Sequence, residues 1–180
     1  FLAEFKLSDM FYIQPEINYL QKGVELSPLY YYYSTTNSAV SVSGSTGDFT
    51  LNFVEIPINV IAKFGKDQLK PFVFAGPSLS FLSKAEKTEK YSGYGDIGPY
   101  SIKDYVENTD IAINLGGGVE YAIDPKLDVF ALLRYSLGVT DIFKAGESTY
   151  NGYTYDYGDI EDFKTSGLAI AVGFKYCISG

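Results

Sequence analysis

Seven charged residues fall where strand alternation places them opposite the bulky aliphatic face: Glu16, Glu55, Glu120, Asp128, Lys63, Arg134 and Lys175. Inside a curled sheet such charges must be paired or hydrated, because an isolated buried charge is costly. Two chemistries follow. One is a self-neutralising ion-pair network that plugs a narrow interior; the other is a selective pore or proton relay. An eight-stranded barrel is about wide enough to be filled by its own side chains, which favours the plug. Paired carboxylates also perform glycoside hydrolysis, but no sugar cleft is marked in the sequence.

A second group is aromatic. Most of the 17 tyrosines lie outside the alternating segments, and Tyr30, Tyr31, Tyr32, Tyr33, Tyr94, Tyr100, Tyr153 and Tyr155 are the candidate binding residues. Tyrosine offers a large contact area at low entropic cost. The plainer reading folds these Tyr-, Gly- and Ser-rich stretches on one another as β-extensions. Asp156, Asp159, Glu161 and Asp162 lack the spacing of a calcium loop and read as solvated acidity. The chain has no histidine, which removes Ser-His and Cys-His nucleophiles and imidazole metal ligands. The single cysteine, Cys177, permits neither an internal disulfide nor a Cys-rich zinc site, and reads as an inward space-filler. Gly116-Gly117-Gly118 lies mid-strand with no helix after it, so it is a close approach or bend, not a phosphate cradle. No catalytic residue, metal or cofactor is expected, and the chain is expected not to be an enzyme.

The elements that carry these residues are legible from period-2 alternation, which recurs from end to end without a helical period. Phe11, Ile13, Pro15, Ile17 and Tyr19 oppose Tyr12, Gln14, Glu16 and Asn18. Val54, Ile56, Ile58, Val60, Ala62 and Phe64 oppose Glu55, Pro57, Asn59, Ile61 and Lys63. Val73 to Phe81, Ile111 to Ile123, Leu127 to Leu137 and Leu168 to Ile178 repeat the pattern, and Phe1, Ala3, Phe5 and Leu7 against Glu4 and Lys6 add a partial strand. The non-aliphatic face is mostly Gly, Ala, Ser and Asn with charges of both signs. That suits a narrow lumen better than a soluble outer surface. Aromatics at segment ends (Phe11, Tyr19, Phe64, Phe81, Tyr121, Tyr135, Tyr176) are girdle candidates. Pro15, Pro57 and Pro77 predict bulges or local irregularity, since proline lacks a ladder donor.

The chain has 180 residues, 46% hydrophobic and 20% charged, which fits one ordered domain spanning 1–180. Apolar runs such as Val129 to Leu133 are far too short for a membrane helix. A net charge of −8 argues against a nucleic-acid partner. Short links (Ser8 to Met10, Gly65 to Leu69, Asp124 to Lys126) alternate with long ones (Ser27 to Thr50, Lys84 to Thr109, Phe143 to Lys164), as in outer-membrane barrels. The expected fold is therefore all-β, a small antiparallel up-and-down transmembrane β-barrel. Barrels of one bacterial chain have even strand numbers, so eight strands are expected, the first of them upstream of Phe1.

At LNFVEIPINVIAKFG, followed by LKPFVFAGPSLSFLS, the chain resembles the PorT-like porin family of Bacteroidota-type outer-membrane β-barrels. FYIQPEINYLQKG, INLGGGVEYAI, LDVFALLRYSLGVTDI and the terminal GLAIAVGFKY agree with it. The resemblance covers the strands and not the loops. It implies a bacterial outer-membrane protein with extracellular loops and periplasmic turns, partnered by lipid and by other outer-membrane proteins. The sequence ends in Cys-Ile-Ser-Gly rather than the terminal aromatic usual for such barrels, so either Phe174 and Tyr176 are expected to substitute or the chain is expected to continue. The function expected is a structural or binding component, an accessory subunit of a larger outer-membrane complex. The alternatives are a small passive channel and a soluble β-barrel that binds an apolar ligand.

Overall fold

The computed structural model describes residues 1–35, 38–65, 68–91, 95–143, 147–150, 153–156 and 164–178, and the side chains of all these except 24–45, 91 and 147–156. The elements are β1 (Phe5–Lys6), β2 (Phe11–Pro15), β3 (Asn18–Thr35), β4 (Ser38–Lys63), β5 (Leu69–Tyr91), β6 (Gly95–Ser101), β7 (Thr109–Asp124), β8 (Leu127–Asp141), β9 (Glu147–Tyr150), β10 (Tyr153–Asp156) and β11 (Lys164–Tyr176), with one 3-10 turn at Lys103–Tyr105. The main sheet runs β1-β2-β4-β5-β7-β8-β11, with β3 continuing β2 along β4 and β6 flanking β5. Each described pair is antiparallel.

Alternation decides which way each side chain faces. Along β7 the burial pattern switches at nearly every residue, with Ala112, Asn114 and Glu120 inside and Ile111, Ile113, Leu115, Val119 and Tyr121 outside. The outer face is aliphatic and the inner face mixes small, polar and aromatic groups. Exposed aliphatics on several adjacent strands make a continuous apolar belt, which water would not tolerate and lipid requires. On β5 the belt runs from Leu69 to Phe81, about 40 Å of strand. At a tilt of roughly 40° that is about 30 Å of height, the thickness of a bilayer's hydrocarbon core.

The belt has aromatic margins. Phe11, Phe64, Tyr121 and Tyr176 lie towards the short turns, and Tyr19 and Phe81 lie level with each other at the opposite margin through Val54. Tyr135 is the exception among the girdle candidates: it pairs with Leu115 and Leu168 in the middle of the belt.

Three expectations need correction. The stretches Ser27 to Thr50, Lys84 to Thr109 and Phe143 to Lys164 are not simply loops. β3, β4 and β5 run on through them, and β9 pairs with β10. Of the bulges or local irregularity expected at the prolines, the irregularity is present and the bulges are not: β2 stops at Pro15, and the β4–β5 ladder skips from Pro57–Ser78 to Val60–Ala75 in unbroken register. A missing donor costs a rung without shifting the frame. The two backbones pinch there, since a Cβ on Gly76 would lie 2.0 Å from the Ile58 carbonyl oxygen. Register shifts fall elsewhere, among them Asn52/Phe53, Lys87/Glu89, Ala122/Asp124 and Lys164/Ser166. Cys177 is exposed rather than filling space inside.

Among the described residues the sheet curls without closing, and β1 and β11 each pair on one side only. Ile170 and Val172 on β11 are 80% and 72% exposed, against 46% and 51% for Ile113 and Leu115 on the doubly flanked β7.

Candidate functional site

The inner face of β4 reads Phe53, Glu55, Pro57, Asn59, Ile61, Lys63, and this order sets the layers of the interior. Nearest the short turns is an ion cluster. Lys63 Nζ donates to Glu120 Oε1 at 2.8 Å and to Glu4 Oε1 at 2.6 Å. Lys175 Nζ donates to Glu4 Oε2 and Glu120 Oε2, both at 2.8 Å. Two ammonium groups and two carboxylates therefore close a neutral ring. The Lys63 ammonium lies 4.5 Å from the Tyr12 ring centroid and that of Lys175 lies 5.2 Å from Phe130, contacts that a desolvated cation favours.

Above this ring Ile61, Phe72, Phe74, Phe130 and Leu132 form an apolar layer. The glycines of β7 make room for it. A Cβ on Gly116 would meet Phe74 Cζ at 2.3 Å, and one on Gly118 would meet Phe72 Cζ at 2.8 Å. Inward Phe rings on β5 and β8 and inward glycines on β7 and β11 are one packing solution.

The next layer is polar. Arg134 Nη2 donates to both oxygens of Glu16 at 2.7 Å. Gln14 Nε2, Asn59 Nδ2 and Asn18 Nδ2 donate to the same carboxylate at 2.8, 3.0 and 3.0 Å. Further from the short turns, Asp110 accepts from Lys22 Nζ at 2.8 Å, from Thr165 Oγ1 at 2.9 Å and from Thr140 Oγ1 at 2.9 Å. A second apolar cluster of Leu51, Phe53, Leu82, Ala85, Ile102, Val106 and Ile142 lies beyond. The segment after β6 is bent in to build it, held by Ile102 N–H to Ala85 O at 3.1 Å and Glu107 N–H to Ile142 O at 2.8 Å.

Five of the seven charges singled out in the sequence thus enter ion pairs: Glu16 with Arg134, and Glu120 with Lys63 and Lys175. Glu55 is 2% exposed, and its Oε2 meets no donor among the described residues. Asp128 stands opposite Lys175 across the β8–β11 pair, outside the ring of ion pairs. Sequence reasoning missed Glu4, Lys22 and Asp110 as members. For the last two the signal was present, because each has the inward parity of its strand: Lys22 continues Gln14, Glu16 and Asn18, and Asp110 precedes Ala112 and Asn114.

Of the candidate binding tyrosines, Tyr100 is placed. Its hydroxyl donates to Glu89 Oε1 at 2.6 Å, and Lys87 Nζ reaches the same oxygen at 2.7 Å. Burial, then the Glu89 carboxylate, push the Tyr100 phenol up to about 12. At Lys87 burial works against the charge, but Glu89 and Tyr100 outweigh it and its pKa is raised. The backbones of Tyr30, Tyr31, Tyr32 and Tyr33 belong to β3, and those of Tyr153 and Tyr155 to β10; their side chains lie outside the described residues, as do Tyr94 and the acidic residues from Asp159 to Asp162. Among the described residues no three His, Cys, Asp or Glu side chains gather as a metal site.

A family model described as "Outer membrane protein beta-barrel domain" matches residues 1–144. No curated protein and no solved structure gives a significant match.

Proposed function

Because the chain belongs to the outer membrane protein β-barrel domain family, we propose that it is a non-enzymatic structural or binding component of the outer membrane, with a plugged lumen, and that it serves as an accessory of a larger outer-membrane complex. The observation that carries the plug is the layering of the interior. Two apolar clusters, Ile61 to Leu132 on one side and Leu51 to Ile142 on the other, enclose a polar layer whose main carboxylates are occupied. A conducting lumen needs a continuous wetted path, and stacked Phe rings interrupt one.

The short turns face the periplasm on this reading, and the strand extensions bearing Tyr30 to Tyr33, Tyr100 and Tyr153 face outward, the usual arrangement of such barrels. Tyrosine-rich surfaces of this kind contact partners through rigid amphipathic rings. The strand segments that resemble PorT-like porins suggest that branch of the family.

Planar-bilayer recording tests the plug. A silent bilayer with demonstrably inserted protein is the expected result; discrete openings at neutral pH overturn the plug and make the chain a small passive channel. Affinity purification from native membranes tests the accessory role, which fails if the barrel is recovered alone after mild detergent extraction and cross-linking.

A further inference from the structure

Between its aromatic margins the outer belt is apolar, with one exception among the described residues, Tyr135. Along β8 the belt's outward residues run from Val129 to Val139, so Tyr135 stands six residues from one end and four from the other. At a tilt of roughly 40° those spans are ~15 and ~10 Å of height, farther than a phenol snorkels. Tyr135 is 44% exposed, and its hydroxyl has no hydrogen-bond partner among the described residues. Hydrocarbon tails offer none either, and a polar group left without one there is costly. β8 is paired on both sides, with β7 through Leu115 and with β11 through Leu168, so two complete ladders fix the face that Tyr135 occupies.

A second copy of the chain supplies the partner by symmetry. Two copies inserted the same way round share a two-fold axis only if it runs along the membrane normal, and such an axis keeps every residue at its own height. An axis over Tyr135 therefore brings Tyr135 to Tyr135. A hydroxyl both donates and accepts, so the pair completes itself. Leu115, Leu133, Leu137 and Leu168 surround the contact and are 47% to 68% exposed. Half-exposed side chains of this size present roughly 90 Å² each, and about nine of them on β7, β8 and β11 reach about 800 Å² per partner, the size of a standard interface. Apolar contact alone gains little in lipid; the hydrogen bond is what a lipid neighbour cannot replace.

We infer that the outer face of β8 around Tyr135 is a dimer interface within the membrane, its occupant a second copy of this chain joined by a Tyr135–Tyr135 hydrogen bond on the two-fold axis. The inference rests on the belt facing lipid, since in water the same hydroxyl would be satisfied by solvent.

The test uses the 180-residue chain refolded into liposomes and labelled with donor or acceptor dye at its exposed Cys177. Wild type should show energy transfer that falls on lipid dilution, and single spots should bleach in two steps. Tyr135→Phe keeps the ring and removes the hydroxyl, and should move the dilution midpoint about fivefold towards higher protein density. Tyr121→Phe, at the margin of the belt, should leave the midpoint in place. In a Cys177→Ser background, oxidation should trap Tyr135→Cys as a covalent dimer and leave Ile58→Cys, on the outer face of β4, monomeric. Liposomes that take up no protein overturn the belt and the dimer together. Inserted barrels that bleach in single steps, a midpoint that Tyr135→Phe does not move, or equal trapping of Tyr135→Cys and Ile58→Cys overturn the dimer alone and leave the face to lipid or to another protein.

Discussion

Arg134 is the residue whose loss the interior should feel most. Its guanidinium meets both oxygens of Glu16, and the pair is tied to β2, β3 and β4 by Gln14, Asn18 and Asn59. Truncating one member leaves a buried charge, which costs about 3–5 kcal/mol, whereas replacing both by apolar groups of similar volume is often neutral. Arg134→Ala should therefore lower the urea midpoint of the refolded barrel sharply, and the Glu16→Leu/Arg134→Met double variant should recover most of the loss. A double variant as unstable as the sum of the singles would show that the two charges act independently. Tyr100 supplies a second residue-level prediction. Its phenol is raised, so the folded protein favours the protonated form; its contribution to holding β6 is whole below about pH 10 and is lost as pH climbs through about 12. Labelling tyrosine Cζ with ¹³C, with assignment by Tyr100→Phe, should show this resonance titrating well above the ordinary phenol range and moving down in Glu89→Gln. Titration near pH 10 in wild type would remove the Glu89 contact. Charges such as Glu16, Glu120 and Lys63 were legible in the sequence because their strands alternate cleanly. Their partners were less so: Glu4 sits in a stretch where only Phe5–Lys6 is strand, and no sequence rule shows that it meets Lys63 on β4 and Lys175 on β11.

At the scale of elements, β7 and its neighbours show how composition becomes shape. Gly116 and Gly118 on β7 are small because Phe74 and Phe72 of β5 occupy the volume in front of them. Gly116→Ala should cost about 1–3 kcal/mol by overpacking, and Phe74→Leu in the same background should return part of it. Gly167→Ala is the control: nothing lies within 4 Å of its Cβ position, so a change within about 0.5 kcal/mol is expected. Equal costs at both positions, read from urea midpoints, would separate the glycines from the Phe layer. Inside the belt, strands were readable because apolar and small residues alternate. Beyond it, Tyr30 to Tyr33 follow one another and period-2 contrast is lost along that run, although pairing continues from Tyr31–Val42 to Thr35–Ser38. The bulge at Asn52/Phe53 also shifts the frame of β4 against β5 as the belt gives way to the extension.

For the whole molecule, direction matters as much as pairing. Passing from β1 through β2, β4, β5, β7 and β8 to β11, every step is antiparallel, so β1 and β11 run the same way. Side chains already join the two edges near the short turns through Glu4 and Lys175, and nearer the other end Lys22 of β3 donates to Thr165 of β11 at 3.0 Å. The alternation of short and long links and the curling of the sheet into a barrel were legible in the sequence, but which side chains meet across the two edges was not, because that depends on twist and stagger summed over the sheet. What makes the curled sheet a membrane object is the belt, and depth should decide what it tolerates. Leu115 lies mid-belt beside Ala75 and Tyr135, whereas Leu69 lies at the margin beside Tyr121. In liposomes Leu115→Arg should cost about 2–4 kcal/mol and Leu69→Arg about 0–1 kcal/mol, following the fall of the penalty from midplane to interface. The gradient should shrink in detergent micelles, whose apolar thickness adapts around a charge. Both positions are comparably exposed, 51% for Leu115 and 52% for Leu69, so a sheet facing water would show no such difference. Equal penalties in liposomes would remove the belt from the bilayer.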